Sequence, residues 1–326
     1  MINAGIAGLG RWGRVLADSV QGKSERIRFT AGCTGRKARA EDYCRDQGID
    51  LRDGVDDLLA DPDIDAVVLA TPHSQHRDQI VAAAKVGKPV FVEKPFTLDR
   101  VSAEESRAAA EAAGIVLALG HNRRFLPSMA RVRELATSGA LGTLLHVEGN
   151  FSAGGAMNYT DEHWRASAAE SPAGGMTGLG VHMVDAFISF LGPIESVNAV
   201  SLRRAAPVAI DDTTTMLMRF QSGITGTMTT LFATQRLWRL QVFGTLGWVE
   251  MRNYDRLVLR LDGEDEREET FDAFDMERAE LEAFAEACEG GAAYPLPLAD
   301  AVHGSAVLEA IIASAAAEGE WRRIEP

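Results

Sequence analysis

The chain has 326 residues, 46% of them hydrophobic, which is enough for two domains with substantial cores. Its formal net charge of −14 argues against nucleic acids and anionic membranes, because such partners favour a basic surface. The cysteines Cys33, Cys44 and Cys288 form no paired framework and suit a reducing compartment. No charged leader precedes the first predicted strand, and no apolar run approaches the ~20 residues that span a bilayer. We therefore expect a cytoplasmic protein.

The first third of the chain alternates short apolar strands with helical segments. The predicted strands read "INAGIAGL", "IRFTAGCTG", "DAVVLATP", "PVFVEKP" and "IVLALGHN". The helices between them read "RWGRVLADSV", "RKARAEDYCRDQG", "HRDQIVAAAKVG" and "SAEESRAAAEAAG". This alternation predicts right-handed crossovers and a parallel sheet covered by helices on both faces.

The rest of the chain follows a different pattern. After a helix at "PSMARVRELATSG", most of residues 143–272 read as consecutive strands, interrupted by one helix at about 180–191. Two helices close the chain. We predict an α/β fold: a doubly wound parallel sheet in residues 1–121, then an α+β domain with a large, mostly antiparallel open sheet in residues 122–326. Because so few helices leave part of that sheet uncovered, we expect a homodimer or homotetramer formed through it.

A glycine pattern, Gly8-x-Gly10-x-x-Gly13, lies between the first predicted strand and the first helix. Gly8 permits a tight turn, Gly10 lets a pyrophosphate approach the backbone, and Gly13 allows close helix–strand packing. The helix N-terminus then offers N–H groups and the positive end of its dipole to the phosphates. In this context the pattern predicts a dinucleotide cofactor.

The end of the second predicted strand bears on which dinucleotide binds. Thr34 stands where an NAD-binding protein usually carries an acid for the ribose 2′-hydroxyl, and Arg36 and Lys37 follow it. Two cations without a nearby acid suit a 2′-phosphate, so we predict NADP, with NAD left open. The alternative is that Arg36 and Lys37 merely begin the next helix.

Several motifs resemble one family. "GLGRWG", "ATPHSQH", "VEKPF" and "GHNRRFLP" occur in the order and spacing of the glucose–fructose oxidoreductase, inositol dehydrogenase and MocA-type oxidoreductases. "GGMTGLGVHMVD" and the closing "HGSAVLEAIIASA" continue the match. The resemblance implies a Rossmann domain, an open-sheet domain, and NAD(P)-dependent oxidation or reduction at a secondary alcohol. It also implies a sugar, inositol or related polyol as substrate.

The fingerprint, the carboxyl ends of the predicted strands and the resemblance together define a set of cofactor-binding residues. It comprises Gly8, Leu9, Gly10, Arg11, Trp12, Gly13, Thr34, Arg36, Lys37, Ala70, Thr71, Pro72, His73, His76, Glu93, Lys94, Pro95 and Asn122. The resemblance further implies that the Lys94–Pro95 peptide is often cis. His73 and His76 lack a clear third ligand, so we predict no metal site.

A second set is predicted to meet the substrate: Lys94, Arg124, Trp164, Arg165, His182 and Asp185. Loss of a hydride from an alcohol requires a general base, and Lys94 and His182 are the candidates for that catalytic role. Trp164 and Arg165 have two open interpretations, covering a substrate or anchoring a long loop. Arg124 or Arg123 likewise either braces the domain interface through a salt bridge or contacts the substrate.

One position departs from the family. Members of the resembled family carry an Asp four residues before this histidine, and here that position is Gly178. Three explanations remain open: Lys94 and His182 suffice, Asp185 contributes from the same helical face, or the protein binds a dinucleotide without ordinary polyol turnover. The last includes a non-catalytic sensor or regulator. Cofactor-recycling glycosidase or lyase chemistry is a further alternative.

Overall fold

The computed structural model describes residues 1–325 and divides into two compact units, each made of two chain segments. The first unit consists of Met1–Asn122 and Asp275–Val302. The second consists of Arg123–Phe274 and the residues from His303 onward. Each unit has its own sheet.

The first segment of the first unit alternates strands and helices. The strands are β1 (Ile2–Ala7), β2 (Ile27–Cys33), β3 (Asp50–Arg52), β4 (Ala66–Leu69), β5 (Val90–Glu93) and β6 (Leu117–Gly120). The helices are α1 (Arg11–Val20), α2 (Glu41–Gln47), α3 (Val55–Ala60), α4 (His76–Lys85) and α5 (Arg100–Ala113). The strands pair in parallel in the order β3-β2-β1-β4-β5-β6, which is the doubly wound order of dinucleotide-binding sheets.

This sheet is apolar on both faces because both are covered. Along β4, Ala66 and Val68 belong to one buried cluster, whereas Val67 and Leu69 belong to another. Successive side chains of a strand point to opposite faces, so a continuous apolar run is what a doubly covered sheet requires. Sequence patterning did not predict β3 or α3, since elements of three and six residues are too short to show a period.

The remaining elements continue in chain order. They are α6 (Pro127–Thr137), β7 (Leu144–Ser152), α7 (Val181–Leu191), β8 (Ile194–Leu202), β9 (Thr213–Phe220), β10 (Thr225–Leu231), β11 (Leu237–Gly244), β12 (Gly247–Arg252), β13 (Arg256–Leu261), β14 (Arg267–Thr270), α8 (Met276–Cys288), α9 (Leu298–Ala316) and β15 (Arg322–Arg323). The second sheet has the order β14-β13-β12-β11-β7-β10-β9-β8-β15, and among its described strands only β7 and β10 pair in parallel. The predicted fold class is confirmed.

The nine-stranded sheet has two unlike faces. One face is buried and carries large apolar side chains, among them Phe151, Met216 and Trp238. The opposite face keeps exposed side chains, including Val200, Leu202 and Leu217 on adjacent strands β8 and β9. This alternation is what an antiparallel sheet with one covered face produces.

The structure divides the chain differently from the predicted residues 1–121 and 122–326, because α8 returns to the first unit. Leu281, Phe284 and Ala285 of α8 are buried in the same cluster as Leu16 of α1 and Phe29 of β2. The amphipathic pattern of α8 shows that one face is buried, but not which sheet covers it. The first unit is therefore discontinuous in sequence.

Helix α9 corrects one expectation. Within residues 1–325 this one helix, 19 residues long, is sufficiently apolar to cross a membrane by length and composition alone. The amino-acid sequence predicts no apolar run approaching that length. The core helix of a folded protein meets the same criterion, and Val307, Leu308 and Ile311 of α9 are buried in the structure. The property is thus only a weak indication of a membrane segment.

Candidate active site

The turn between β1 and α1 is closed by two glycines. Gly8 has φ of +102°, and a Cβ added there would lie 2.3 Å from the Ala70 carbonyl oxygen. A Cβ at Gly13 would lie 2.1 Å from the carbonyl oxygen of Gly8. Both distances are far below van der Waals contact, so the turn packs against α1 and the end of β4 only with glycine at these positions.

The third glycine of the motif has a different environment. Gly10 is the N-cap residue of α1, no side chain of the described residues caps this end, and the first turn carries no acid. A Cβ added at Gly10 would meet no described atom within 4 Å. The protein's own packing therefore does not require this glycine. A bare backbone at the positive end of a helix fits the pyrophosphate of a dinucleotide.

The predicted cations after β2 are in a more acidic environment than the sequence suggested. Arg36 is exposed, while the Lys37 ammonium pairs with the Asp53 carboxylate. Hydrogen bonding within this pair raises the pKa of Lys37 and lowers that of Asp53. Lys37 also borders an open depression of about 510 Å³ beside β3, which Asp50, Asp53, Asp57 and Asp61 line. The charge of Lys37 is thus partly offset before any cofactor binds.

His76 ties together two strand ends that were predicted to meet the cofactor. Its ring is fully buried, with Nδ1 3.0 Å from the Pro95 carbonyl oxygen and Nε2 3.3 Å from that of Thr71. Thr71 follows β4 and Pro95 follows β5, so the histidine bridges the carboxyl ends of neighbouring strands. Both ring nitrogens lie near backbone oxygens, which fits a structural role in shaping this edge.

Lys94 lies in the segment that His76 holds. Its backbone N–H donates to Oε2 of Glu93 at 3.2 Å, and the Lys94–Pro95 peptide is cis, as the resemblance implied. Glu93 is buried and Lys94 is half-buried at the carboxyl end of β5. Ligands of doubly wound sheets bind at this edge, and Lys94 lies on it.

Two other predicted cofactor residues have partners within the protein. Asn122 is fully buried, and its amide donates to Oε1 of Glu277 at 3.0 Å. The His73 ring packs edge-on against His76, with 5.9 Å between ring centroids. Among residues 1–325 no group of three or more His, Cys, Asp or Glu side chains is placed to hold a metal ion.

In the second unit, the segment before α7 forms a π-helical turn over Met176–Gly180. Such turns are rare and occur often at functional sites. A Cβ added at Gly178 would meet no described atom within 4 Å, whereas one at Gly180 would lie 2.1 Å from Sδ of Met176. The acid that the resemblance implies is therefore missing at a position where the fold has room for a side chain.

The buried Arg123 links His182 to an aromatic cluster. Its Nη1 lies 2.9 Å from Nε2 of His182, and its Nε and Nη2 donate to the Tyr254 hydroxyl at 3.0 and 2.8 Å. The guanidinium carbon lies 4.8 Å from the ring centroid of Phe151 and 5.7 Å from that of Trp238. Aromatic faces stabilise a buried cation by cation–π attraction.

Arg124 and Asp185 bind each other. The Asp185 carboxylate accepts from Nε and Nη2 of Arg124 at 2.8 to 3.0 Å, and both side chains are buried. Two consecutive arginines thus hold residues i and i+3 of α7, namely His182 and Asp185. This bidentate pair occupies both carboxylate oxygens of Asp185, which fits a bracing role for Arg124.

Trp164 and Arg165 lie in a stack of side chains. The Arg165 guanidinium carbon is 4.0 Å from the Trp164 ring centroid, and the His163 ring stacks on Tyr159 at 4.3 Å. Nδ1 of His163 accepts from the Arg165 backbone N–H at 3.2 Å. The neighbouring Ala166 is buried with Phe232 in a separate small cluster, so the loop is anchored as well as stacked.

Sequence reasoning missed Tyr254, Phe151 and Trp238, which surround the arginine that contacts the predicted catalytic histidine. Arg123 is 59 residues from His182 and 131 from Tyr254 along the chain, so no local spacing brings them together. The Arg–Arg doublet was the only available signal, and it did not specify which arginine meets which residue.

Comparison with known proteins identifies the family. Residues 2–121 match the oxidoreductase family with an NAD-binding Rossmann fold, and residues 129–250 match the GFO/IDH/MocA C-terminal domain. The chain belongs to the GFO/IDH/MocA oxidoreductase family, as the sequence motifs predicted.

Two curated relatives illustrate the similarity. Over 152 residues the chain is 36% identical to scyllo-inositol 2-dehydrogenase (NAD(+)) of Bacillus subtilis, covering 45% of this chain and 44% of that protein. The match therefore spans less than half the length of that relative. Over 338 residues it is 28% identical to 1,5-anhydro-D-fructose reductase of Ensifer adhaerens, covering 97% of this chain and 99% of the relative.

The fold is shared with solved structures. Levoglucosan dehydrogenase in complex with NADH and L-sorbose superposes with a TM-score of 0.88 at 21% identity, covering 99% of each chain. At this identity the likeness shows the fold alone.

Proposed function

We propose that the protein is an NAD(P)-dependent oxidoreductase of the cytoplasm, acting on a secondary alcohol, or the corresponding ketone, of a sugar- or polyol-like substrate. The observation that carries the proposal is the bare Gly10 at the uncapped N-terminus of α1, which the protein's own packing does not explain. Relatives named for an inositol and an anhydro-sugar support the substrate class.

Residues of the first unit would hold the cofactor. The backbone from Gly8 to Gly13 receives the phosphates, and the segments after β4 and β5 line the nicotinamide end. When bound, the nicotinamide supplies or accepts the hydride. Glu93 fixes the backbone N–H of Lys94 and thereby the start of the Lys94–Pro95 segment.

Lys94 and His182 carry the proton chemistry in this proposal. The Lys94 amine takes the proton of the substrate hydroxyl during oxidation and returns it during reduction. His182 hydrogen-bonds the reacting oxygen. Trp164 and Arg165 cover the substrate with an aromatic face and a forked donor, while Arg124 and Asp185 act through the position of α7.

NADP is proposed as the preferred cofactor, with NAD second. The absence of an acid at Thr34 and the exposed Arg36 support this preference, since a guanidinium pairs well with a phosphate. The Lys37–Asp53 pair weakens it, because an ammonium already paired with a carboxylate attracts a further anion less. Titration with NADP and NAD at several salt concentrations compares the two affinities directly.

The first prediction concerns Lys94. Lys94→Met is expected to lower kcat by about 10²-fold or more and leave the dissociation constant of the cofactor nearly unchanged, because only proton transfer is removed. Turnover is measured from nicotinamide absorbance on a panel of polyols, inositols and keto-sugars. Lys85→Met, an exposed lysine on α4, is the matched control and should behave as wild type.

The outcomes separate the alternatives. Unchanged turnover in Lys94→Met contradicts its assignment as the base. Tight dinucleotide binding without turnover on any panel member favours a sensor or regulator. Release of an aglycone from a glycoside added to the panel, without net change in nicotinamide absorbance, favours cofactor-recycling glycosidase or lyase chemistry.

We also propose that a second copy of the chain covers the exposed face of the nine-stranded sheet. Val200, Leu202 and Leu217 form an exposed apolar strip on adjacent strands there. Exposed apolar strips of this kind are commonly buried in symmetric oligomers.

A further inference from the structure

The contact between Arg123 and His182 fixes more than the position of the histidine ring. Arg123 is 8% exposed and His182 is 3% exposed, so bulk water competes little for the 2.9 Å contact between Nη1 and Nε2. The other side of the guanidinium is committed to Tyr254, whose hydroxyl oxygen accepts from both Nε and Nη2. The arginine fork is thus held in a defined orientation.

The chemistry of the two groups assigns the proton. An arginine guanidinium has five N–H donors and no acceptor, and it stays protonated in proteins. The Nε2 atom of His182 must therefore accept, which requires its lone pair. A neutral imidazole has one donor nitrogen and one acceptor nitrogen, so its proton resides on Nδ1. A doubly protonated ring would set N–H against N–H between two cations.

We propose that Arg123 is a positioning residue that holds His182 as the neutral tautomer protonated on Nδ1, so that His182 serves the reaction as a hydrogen-bond donor and not as the base. The tautomer follows from contacts within the second unit, whereas its meaning for catalysis rests on the proposed function. During oxidation the substrate O–H bond breaks and its proton forms a new N–H bond on the Lys94 amine, while His182 keeps its own proton. The hydride from the carbinol C–H bond would pass to the nicotinamide of the proposed function.

This assignment removes an ambiguity about the two catalytic candidates. A base needs a lone pair directed at the substrate, and the lone pair of His182 is directed at Arg123. The proton of the neutral ring is on Nδ1, and an N–H donor stabilises an oxygen that carries or develops negative charge. Such a donor suits the carbonyl oxygen of a ketone as well as the oxygen of an alcohol losing its proton.

The test reads the tautomer without turnover. Protein with ¹⁵N-labelled histidine is examined at pH 7, without cofactor or substrate, by long-range ¹H–¹⁵N correlation, in which the two neutral tautomers give different cross-peak patterns. The chain has 7 histidines, and the spectrum of His182→Asn identifies the signals of this residue. His146, which lies on the sheet and bonds to Thr225, serves as an internal reference in the same spectrum.

The expected result is a single neutral form with the proton on Nδ1. A wild-type spectrum with the proton on Nε2, or on both nitrogens, overturns the proposal whatever the activity of the protein. The tautomer is read from the wild-type spectrum, and the variant serves only to assign its signals. If no histidine in that spectrum shows the neutral Nδ1–H pattern, the proposal is overturned even where His182→Asn misfolds. It is also independent of whether any panel substrate is turned over.

Variants of Arg123 extend the test. In Arg123→Met we expect His182 to lose its single-tautomer pattern. Arg123→Lys keeps a cationic donor, so in this variant we expect His182 to retain most of the pattern. Arg203→Met, the same change at an exposed loop arginine, should leave the spectrum unaltered. On a substrate that wild type turns over, Arg123→Met is expected to lower kcat about tenfold or more with cofactor affinity within twofold. Retention of the Nδ1–H pattern in Arg123→Met shows that another group sets the tautomer, and contradicts the assignment.

Discussion

At the scale of single residues, the glycines of the β1–α1 turn and of the π-helical turn before α7 are of two kinds. Some are required by the packing of the protein itself, and others are not. Gly8 and Gly13 are demanded by the protein's own backbone, since a Cβ at either would meet a carbonyl oxygen at 2.3 Å or less. Gly10 and Gly178 have open space instead. A glycine that the packing of the protein does not require is a better indicator of a bound ligand, or of a changed substrate preference, than a glycine that this packing requires.

Gly178 should therefore accept the family's acid. Gly178→Asp is expected to change the free energy of unfolding by no more than about 0.5 kcal/mol, because the side chain enters open space. Since it restores an acid four residues before His182, we expect turnover of cyclic polyols to rise about tenfold relative to the other panel members. Thermal unfolding and the substrate panel measure the two effects.

The matched control lies two residues further on. Gly180→Asp places a charged side chain against Met176, Met228 and Thr230, with a Cβ only 2.1 Å from sulfur. Overpacking and a buried charge should cost more than about 2 kcal/mol. Equal stability of the two variants would mean that the space beside Gly178 is not what the structure describes.

At the scale of elements, the loop between β8 and β9 is organised by one carboxylate. Asp212 is 1% exposed and accepts from the backbone N–H groups of Arg204, Ala205 and Ala206 and from the Thr213 hydroxyl. Burial acts to raise the pKa of Asp212, but these hydrogen bonds together hold it below its usual range. Apolar residues of the loop, among them Val208 and Ile210, pack with Ala166 beside the Trp164 stack.

This arrangement predicts an acid-sensitive loop. Asp212→Asn should lower the free energy of unfolding by about 2 kcal/mol at neutral pH, since charge-assisted hydrogen bonds are replaced by weaker ones. Because the folded-state pKa is depressed, the stabilisation is complete above the unfolded value of about 3.9 and is lost as pH falls through the lower folded-state value. The difference between wild type and variant should accordingly shrink below about pH 4.

Urea unfolding at several pH values measures that difference. Asp211→Asn, the same change at the half-buried neighbouring residue, is the control and should be close to neutral. A constant difference between wild type and Asp212→Asn from pH 7 to pH 3 would contradict the role given to the ionised carboxylate.

The features that could be predicted from the sequence are those encoded by short-range patterns of residues. Period-two and helical patterns predicted the parallel sheet and the mostly antiparallel one, and the spacing of Gly8, Gly10 and Gly13 predicted a turn that the structure contains. The sheet against which α8 packs was not predictable, because an amphipathic pattern shows that one helix face is buried but not what covers it. The Arg123–His182–Tyr254 network was equally hidden, because its members are joined by tertiary packing alone.

At the scale of the whole molecule, the exposed face of the nine-stranded sheet determines the expected assembly. Leu217 is 48% exposed and lies opposite Asn198 on β8 and Thr227 on β10, at the end of the apolar strip next to Val200. We expect the protein to be a dimer or tetramer in light scattering coupled to size exclusion. Leu217→Arg should shift it toward the monomer, because a charge would have to be buried in the interface.

Val101→Arg is the control for this experiment. Val101 is 65% exposed on α5 and lies outside the second sheet, so the same kind of change there should leave the assembly intact. A wild-type protein that remains monomeric at high concentration would contradict the proposed use of this face.

Because the first unit is built from two separate chain segments, it cannot be completed early during translation. The ribosome completes residues 1–122 early, but α8, which packs Phe284 edge-on against Phe91 of β5, is about 150 residues away. At roughly 5–20 residues per second this is a delay of about 8–30 s. During that interval the nascent nucleotide-binding sheet has an uncovered apolar flank where α8 will later lie. The newly made chain is then most exposed to aggregation and most in need of a chaperone.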